Sequence, residues 1–308
     1  MTAAALDDHE RNSGLLAAEL PAQRYVDSQY LRWLYDGGPY GPAITRQIDD
    51  HGVRVAHYAM IPQRYRSSSG PVPSAFSLHA VVRTGTQRKG MFRTLGQEVI
   101  DAASAAGWKF ATGVCNEKSI GTVVKYLGWK TPGPLPVKVC VPLHRGRGVE
   151  SVVVDDDFRT RDLPALARDL DDAPVRTWTN AASPEYLQWR LASPSTCYAV
   201  HVSSDLVAVS TTDAGFGVRA AVILKLLPRG GRSGPLPADA VIGAACRFHR
   251  APYAVYAGFN EHVRVRGITP PRRLQPSPLN FILRSLSDDV DQETLAVDTF
   301  EFLDMDAY

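Results

Sequence analysis

The stretch that decides the fold reads Phe76-Ser77-Leu78-His79-Ala80-Val81-Val82, then Arg83-Thr84-Gly85-Thr86-Gln87-Arg88-Lys89-Gly90, then Met91-Phe92-Arg93-Thr94-Leu95. Its first part is rich in β-formers and predicts a strand over 76–82. Its middle part holds two glycines and an adjacent pair of bases, which predicts a turn. From Met91 to Ala106, the residues Phe92, Leu95, Val99, Ala102 and Ala106 recur at helical spacing, and Gly107 stops the helix. A helix start offers backbone N–H groups without intrahelical partners and the positive end of the helix dipole. Glycine lets the main chain close around an anion, and Arg88 and Lys89 add charge. Gln87 to Phe92 therefore suits a pyrophosphate or a similar anion. The alternative is a solvated strand–helix turn whose bases bind nothing.

Working outward, Phe110 to Cys115 is the next strand. Ser119 to Tyr126 is a short helix ended by Leu127-Gly128-Trp129. The first half thus reads strand, strand, helix, strand, helix, an order that favours an α+β fold on a central sheet. Tyr30-Leu31-Arg32-Trp33 returns 156 residues later as Tyr186-Leu187-Gln188-Trp189. Each copy follows a polar opening that can cap a helix and precedes alternating, strand-like sequence. This points to a duplication. Three segments follow: an N-terminal extension (1–22), a first domain (23–148) and a second (149–308). In the second half, 206–212, 218–227, 254–257, 280–284 and 299–303 read as strands and 238–250 as a helix. Its glycine-rich loop at 230–234 does not reproduce the first turn.

The chain of 308 residues carries 34 Lys+Arg against 32 Asp+Glu, with no long run of either sign. That balance speaks against a nucleic-acid partner, which calls for a basic face or arm. No apolar run approaches the ~20 residues that a membrane helix needs. The N-terminus lacks the order of a secretion signal. The four cysteines, Cys115, Cys140, Cys197 and Cys246, form no C-x-x-C and have no histidine at ligand spacing. Reduced thiols in a cytoplasmic protein without a metal site are the expectation.

The turn at Gln87 to Phe92 resembles the Q/R-x-x-G-x-G/A acyl-CoA-binding loop of the GNAT superfamily of N-acyltransferases. Cys115-Asn116-Glu117-Lys118-Ser119 and Lys125-Tyr126-Leu127-Gly128-Trp129 resemble the strand–Asn–helix–LGF/W signature that closes the same site. The repeated Tyr-Leu-x-Trp and the ending Phe300-Glu301-Phe302-Leu303 look like the tandem members. The resemblance implies two GNAT-like domains, each a mixed, mostly antiparallel sheet flanked by helices. It implies acyl-CoA, acetyl-CoA or a longer-chain thioester, held by Val82, Gln87, Arg88, Lys89, Gly90, Met91, Phe92, Asn116 and Ser119. Two positions depart from the pattern. Phe92 stands where Gly or Ala is usual, and Val124 stands where the family often has a general-acid tyrosine. Tyr126 lies roughly 200° further round the helix.

The reaction implied is attack of a neutral amine on a thioester, which needs a group to take the amine's proton. His79 suits that role because it precedes the loop and imidazole is the usual side chain for proton transfer in catalysis; the alternative is a hydrogen-bonded strand histidine. His57, Glu117 and His201 are weaker candidates. A backbone N–H near Val81 or Val82 would hold the oxyanion. Cys115 reads as a buried thiol more readily than as a nucleophile. Trp33, Trp189 and His201 are candidates to line an acceptor cleft between the halves, with core packing the alternative for the tryptophans. The expected partner is a small-molecule amine, and the expected state a monomer or homodimer. Tandem members of this look act on amino sugars of polysaccharides or specialised metabolites, and the glycopeptide-antibiotic N-acyltransferases are one similar subgroup. A non-catalytic acyl-CoA sensor and an aminoacyl-tRNA-dependent peptidoglycan transferase are the alternatives.

Overall fold

The predicted strand before the turn is the second arm of a long hairpin. In the computed structural model, which describes residues 3–20, 27–86, 90–144, 146–168, 170, 175–215, 217–230, 234–271 and 279–305, β1 (Ile44–Asp50) and β2 (Val53–Ser67) pair antiparallel. β2 then pairs with β3 (Gly70–Val82). Residues of β2 are buried almost without a break, as in a strand covered on both faces. α1 (Ala3–Glu19), part of the expected extension, is a helix whose Leu15 and Leu16 are fully buried. α2 (Ser28–Asp36) follows, its first turn closed by the Asp27 carboxylate accepting from the Tyr30 N–H at 2.7 Å.

α3 (Met91–Ala105) carries the chain over to β4 (Phe110–Cys115), which lies parallel to β3. α4 (Glu117–Leu127) packs on α3. A Cβ on Gly96 would sit 2.5 Å from Leu127, so glycine sets how closely the two helices approach. β5 (Lys130–Pro134) and β6 (Val137–Cys140) end this half.

In the second half, β7 (Glu150–Val153), α5 (Leu163–Arg168), β8 (Thr179–Asn180) and α6 (Pro184–Arg190) lead into β9 (Ala199–Val202). A second long hairpin follows, β10 (Leu206–Gly215) with β11 (Val218–Pro228). β12 (Leu236–Pro237) and α7 (Asp239–Phe248) lead to β13 (Ala254–Asn260), parallel to β11. β14 (Val263–Arg264) pairs with β12. β15 (Asn280–Ser285) and β16 (Thr299–Glu301) complete the strands.

The duplication is visible as geometry. Each half has a long antiparallel hairpin with a bulge, then a helix, then a strand parallel to the hairpin's second arm. The first sheet runs β1-β2-β3-β4-β15-β5, and the second β16-β13-β11-β10-β9-β7. The fold is α+β, with two mixed sheets flanked by helices. A cut near residue 148 does not separate the sheets, however. β15, from the second half, stands between β4 and β5, and β6, from the first, pairs with β13.

One apolar cluster bridges the halves and includes Phe76, Phe110, Phe281, Phe300, Tyr186 and Trp189. Separate clusters lie under α3 and α4 and under α7. Trp33 and Trp189 meet at the centre of the bridge. Their rings stack with centroids 5.3 Å apart. Trp33 Nε1 donates to the Trp189 carbonyl at 3.0 Å, and Trp189 Nε1 donates to the Trp33 carbonyl at 3.1 Å. The two copies of the motif therefore grip each other, the packing role that was the alternative for these tryptophans. The end of the chain is fastened nearby: Lys225, buried, meets Asp304 at 2.6 Å and Glu301 at 3.2 Å, and Arg190 donates to the Leu303 carbonyl.

His201 also lies away from the junction, buried in the second sheet. Its Nδ1 bonds Ser151 at 2.8 Å, and its Nε2 bonds Ser210 at 2.7 Å, which in turn meets His249 at 2.7 Å. Burial, then the nearby His249 and Arg247, push its pKa down to about 3.

Two outcomes follow. Trp189→Ala should cost about 3–5 kcal/mol in urea unfolding, and a loss below ~1 kcal/mol would contradict the stacked pair. His201 is neutral when folded and protonates near pH 6.5 when unfolded, so its contribution is whole above that value and is lost as pH falls toward 3. His201→Gln should lower the slope of stability against pH by about 1.4 kcal/mol per unit between pH 6 and 4, and an unchanged slope would contradict a neutral buried ring.

Candidate functional site

β3 and β4 are hydrogen-bonded over only three residue pairs, Ala75–Ala111, Phe76–Thr112 and Ser77–Gly113. Beyond Ser77 and Gly113 each strand runs on, β3 to Val82 and β4 to Cys115, without pairing to the other. A parallel pair that opens partway leaves a wedge whose walls are strand edges. At the same level the β2–β3 ladder slips: His57 faces Val81, but Ala59 faces Leu78, so β3 carries an extra residue opposite Tyr58. His79 lies in that bulge with φ +52°, a left-handed conformation uncommon for a histidine.

The wedge widens into a cleft of about 750 Å³. Ala80, Val81 and Val82 form its β3 wall. The start of α3, Gly90 to Arg93, forms its mouth. Gly90 has φ +96°, and a Cβ there would stand in open space rather than against protein. Among the described residues no side chain caps α3, so the helix opens onto the cleft with its first-turn amides and dipole. Arg93 and Lys118 add positive charge to the lining. Phe92, in place of a small residue, lies along the wall with its ring stacked 6.2 Å from Tyr58. The expected turn residues Gln87, Arg88 and Lys89 lie outside the described residues.

Across the cleft, Lys118, Ser119, Thr122 and Tyr126 present one stripe of α4 at helical spacing. Tyr126 is thus on the cleft, its ring 5.8 Å from Arg93 and 5.2 Å from the Lys125 ammonium. Val124, half a turn round, is not. Asn116 lines the cleft while its Oδ1 accepts from the Lys118 and Ser119 N–H groups at 3.0 and 3.1 Å. It is the N-cap of α4, which explains an asparagine there. Glu19 reaches the rim from α1, its carboxylate accepting from the Thr84 N–H at 3.0 Å and the Thr84 hydroxyl at 2.8 Å. Nothing in the sequence singled it out, because its partner Thr84 is 65 residues away.

His79 turns its ring to the other face of β3, toward α2. It is 5% exposed and is not part of the cleft lining. Its Nδ1 meets the Tyr35 hydroxyl at 2.7 Å, and the same hydroxyl meets His57 Nε2 at 2.9 Å. His57 is fully buried, and burial, with His79 and Arg54 nearby, holds its pKa well below the usual histidine value. Cys115 lies at the end of β4, and burial raises its pKa to about 11. Glu117 is exposed at the start of α4 and is not among the cleft-lining residues. Among the described residues no cluster of three or more His, Cys, Asp or Glu could hold a metal ion, and no helix is long and apolar enough to cross a membrane.

No protein-family model matches the sequence, and no curated protein matches it. Solved structures do match the fold. The chain is similar to a probable N-acyltransferase from Enterococcus faecalis V583 (TM-score 0.62, 9% identity, covering 91% of this chain and 70% of that one). It is similar to a GCN5-related N-acetyltransferase from Anabaena variabilis ATCC 29413 (TM-score 0.60, 12% identity, 91% and 71%). It is also similar to Eis1 from Mycobacterium abscessus (TM-score 0.55, 15% identity, 91% and 72%). The chain therefore has the fold of the GCN5-related N-acetyltransferases.

At pH 8, where a thiol of pKa about 11 is almost wholly protonated, Cys115 should react with iodoacetamide about 100-fold more slowly than an ordinary free thiol. Peptide mapping by mass spectrometry checks this. Rapid, selective labelling of Cys115 would point instead to an activated nucleophile.

Proposed function

We propose that this chain is an acyl-CoA-dependent N-acyltransferase whose cleft between β3 and β4 receives the thioester. The observation that carries the reading is the wedge itself: an unpaired strand edge leads directly to an uncapped helix start at Gly90. An extended arm with amide groups can pair with such an edge as an added strand, and a pyrophosphate suits the helix start beyond it. Gly90, Met91, Phe92 and Arg93 would hold the phosphates, Val82 and the neighbouring β3 backbone the arm, and Asn116 and Ser119 the far wall.

Acyl-CoA supplies an activated carbonyl. A main-chain N–H near Val81 or Val82, just past the bulge, is the group proposed to meet the oxygen that gains charge as the amine attacks. His79, on the opposite face of the same strand, is the group proposed to receive the amine's proton. The two proposed groups lie close together on β3, His79 inside the bulge and Val81 the first paired residue past it. The acceptor we propose is a primary amine, of an amino sugar in a polysaccharide or in a natural product such as a glycopeptide antibiotic. The similar proteins are a probable N-acyltransferase and a GCN5-related N-acetyltransferase, which supports the reaction class. A non-catalytic acyl-CoA sensor is the second reading, favoured by Val124, which is 38% exposed and off the cleft.

Two measurements test the proposal together. Calorimetry should show CoA binding to the wild-type chain and at least a tenfold weaker affinity for Gly90→Val, since a β-branched residue is strained at φ +96° and its Cβ intrudes on the anion site. Thiol release from acetyl-CoA and longer acyl-CoAs with a panel of amines should exceed the protein-free rate. Equal CoA affinity in the variant rejects the loop assignment, and binding without thiol release favours the sensor.

A further inference from the structure

The proposed reaction uses the backbone of the β3 bulge, and it leaves one buried group without a role: the hydroxyl of Tyr35. That hydroxyl touches both strands where the ladder slips. His57 is the last residue of β2 in register before the bulge, and His79 is within the bulge on β3. Tyr35 Oη holds both, at 2.9 and 2.7 Å, and its ring packs on theirs with centroids 5.7 and 5.9 Å away. The tyrosine is itself fixed. It is 2% exposed, and its carbonyl accepts from the Ala43 N–H at 2.7 Å. On its other side a small pocket of about 140 Å³ is lined by His9, Asn12, Asp36 and Gln47 as well as Tyr35, and His9 is bonded to Asp36 at 2.9 Å.

A non-glycine residue at φ +52° is held there only when its surroundings over-determine it. The Tyr35 hydroxyl fastens His79 at Nδ1. We propose that Tyr35 is a positioning residue for acyl transfer: it pins the bulge, and with it the β3 backbone at the reacting end of the cleft, and it fixes the orientation of His79. Because the Tyr35 hydroxyl occupies His79 Nδ1, it also governs that ring's tautomer. The ionisable groups around the triad are His9 from α1, Asp36 from α2 and Arg54 from β2. Arg54 is neutralised by Asp49 at 2.6 Å and Asp8 at 2.7 Å. This inference rests on the acyltransferase reading, and it assigns Tyr35 to the transfer step rather than to CoA binding.

Tyr35→Phe removes the hydroxyl and keeps the ring. With acetyl-CoA and the best amine of the panel, kcat should fall about 100-fold, the effect of a small misplacement at a reacting centre. KM for acetyl-CoA and the calorimetric affinity for CoA should stay within about twofold, because an interaction used only in the transition state leaves ground-state binding alone. His57→Gln, whose side chain can still bond the tyrosine, should keep more of the turnover than His57→Leu, which leaves the hydroxyl bonded to His79 and no longer to β2; the reverse order would overturn the proposal. An undiminished kcat in Tyr35→Phe overturns the proposal, and so does a loss of CoA affinity as large as the loss of kcat, which would make the hydroxyl a general prop. In either case wild-type binding and turnover leave the acyltransferase reading standing. A wild-type chain that binds no CoA, or binds it and releases no thiol, overturns both.

Discussion

Three backbone pairs between β3 and β4 hold the candidate site open. If the two strands stayed paired to their ends, their edges would satisfy each other and no cleft would remain. If they never paired, nothing would fix the angle between them. Pairing at Ala75–Ser77 and release beyond it gives a wedge with a rigid apex. At the apex a Cβ on Gly113 would come within 3.2 Å of both Ser77 and Ile282, so the strands close up on a residue without a side chain. The bulge next to it turns the β3 main chain within a few residues of that apex, and Tyr35 fastens the bulge from behind.

The second half of the chain contributes more than a neighbouring surface. β15 bonds to β4 along six residue pairs and carries Ile282 to the apex. The first sheet is therefore built from both halves, and so is the second, through β6. Exchange of strands and the reciprocal tryptophan hydrogen bonds make the halves one folding unit in physical terms: apolar area and backbone bonds that each half needs are supplied by the other. A buried Lys225 with Glu301 and Asp304 fastens the chain end to the same region, and burial raises the Glu301 pKa to about 7.

Local features were legible in the sequence. The strand, turn and helix around Val82 to Met91 announce themselves through residue period and glycine, and the strand over Phe110–Cys115 has the bounds its sequence implies. Asn116 was marked by motif, and the structure adds the reason, a cap on α4. The Tyr-Leu-x-Trp repeat was legible as a repeat. Its purpose was not, because two indoles separated by 156 residues meet only through tertiary packing. The place of β15 was hidden for a similar cause: a six-residue apolar strand says that it is buried and not which edge it joins. His79 was singled out by its position before the loop, whereas Tyr35 follows no motif and gains its meaning from histidines 22 and 44 residues away.

The central claim is that a diphosphate-bearing thioester lies in the wedge with its phosphates on the amides that open α3. Backbone amide chemical shifts followed by NMR during titration with CoA test this most directly. The account predicts saturable shifts centred on Ala80 to Val82 and Gly90 to Arg93, with the Tyr-Leu-x-Trp residues unmoved. Shifts centred instead on the separate pocket between Gln97 and Arg284, or none at any CoA concentration, would contradict it.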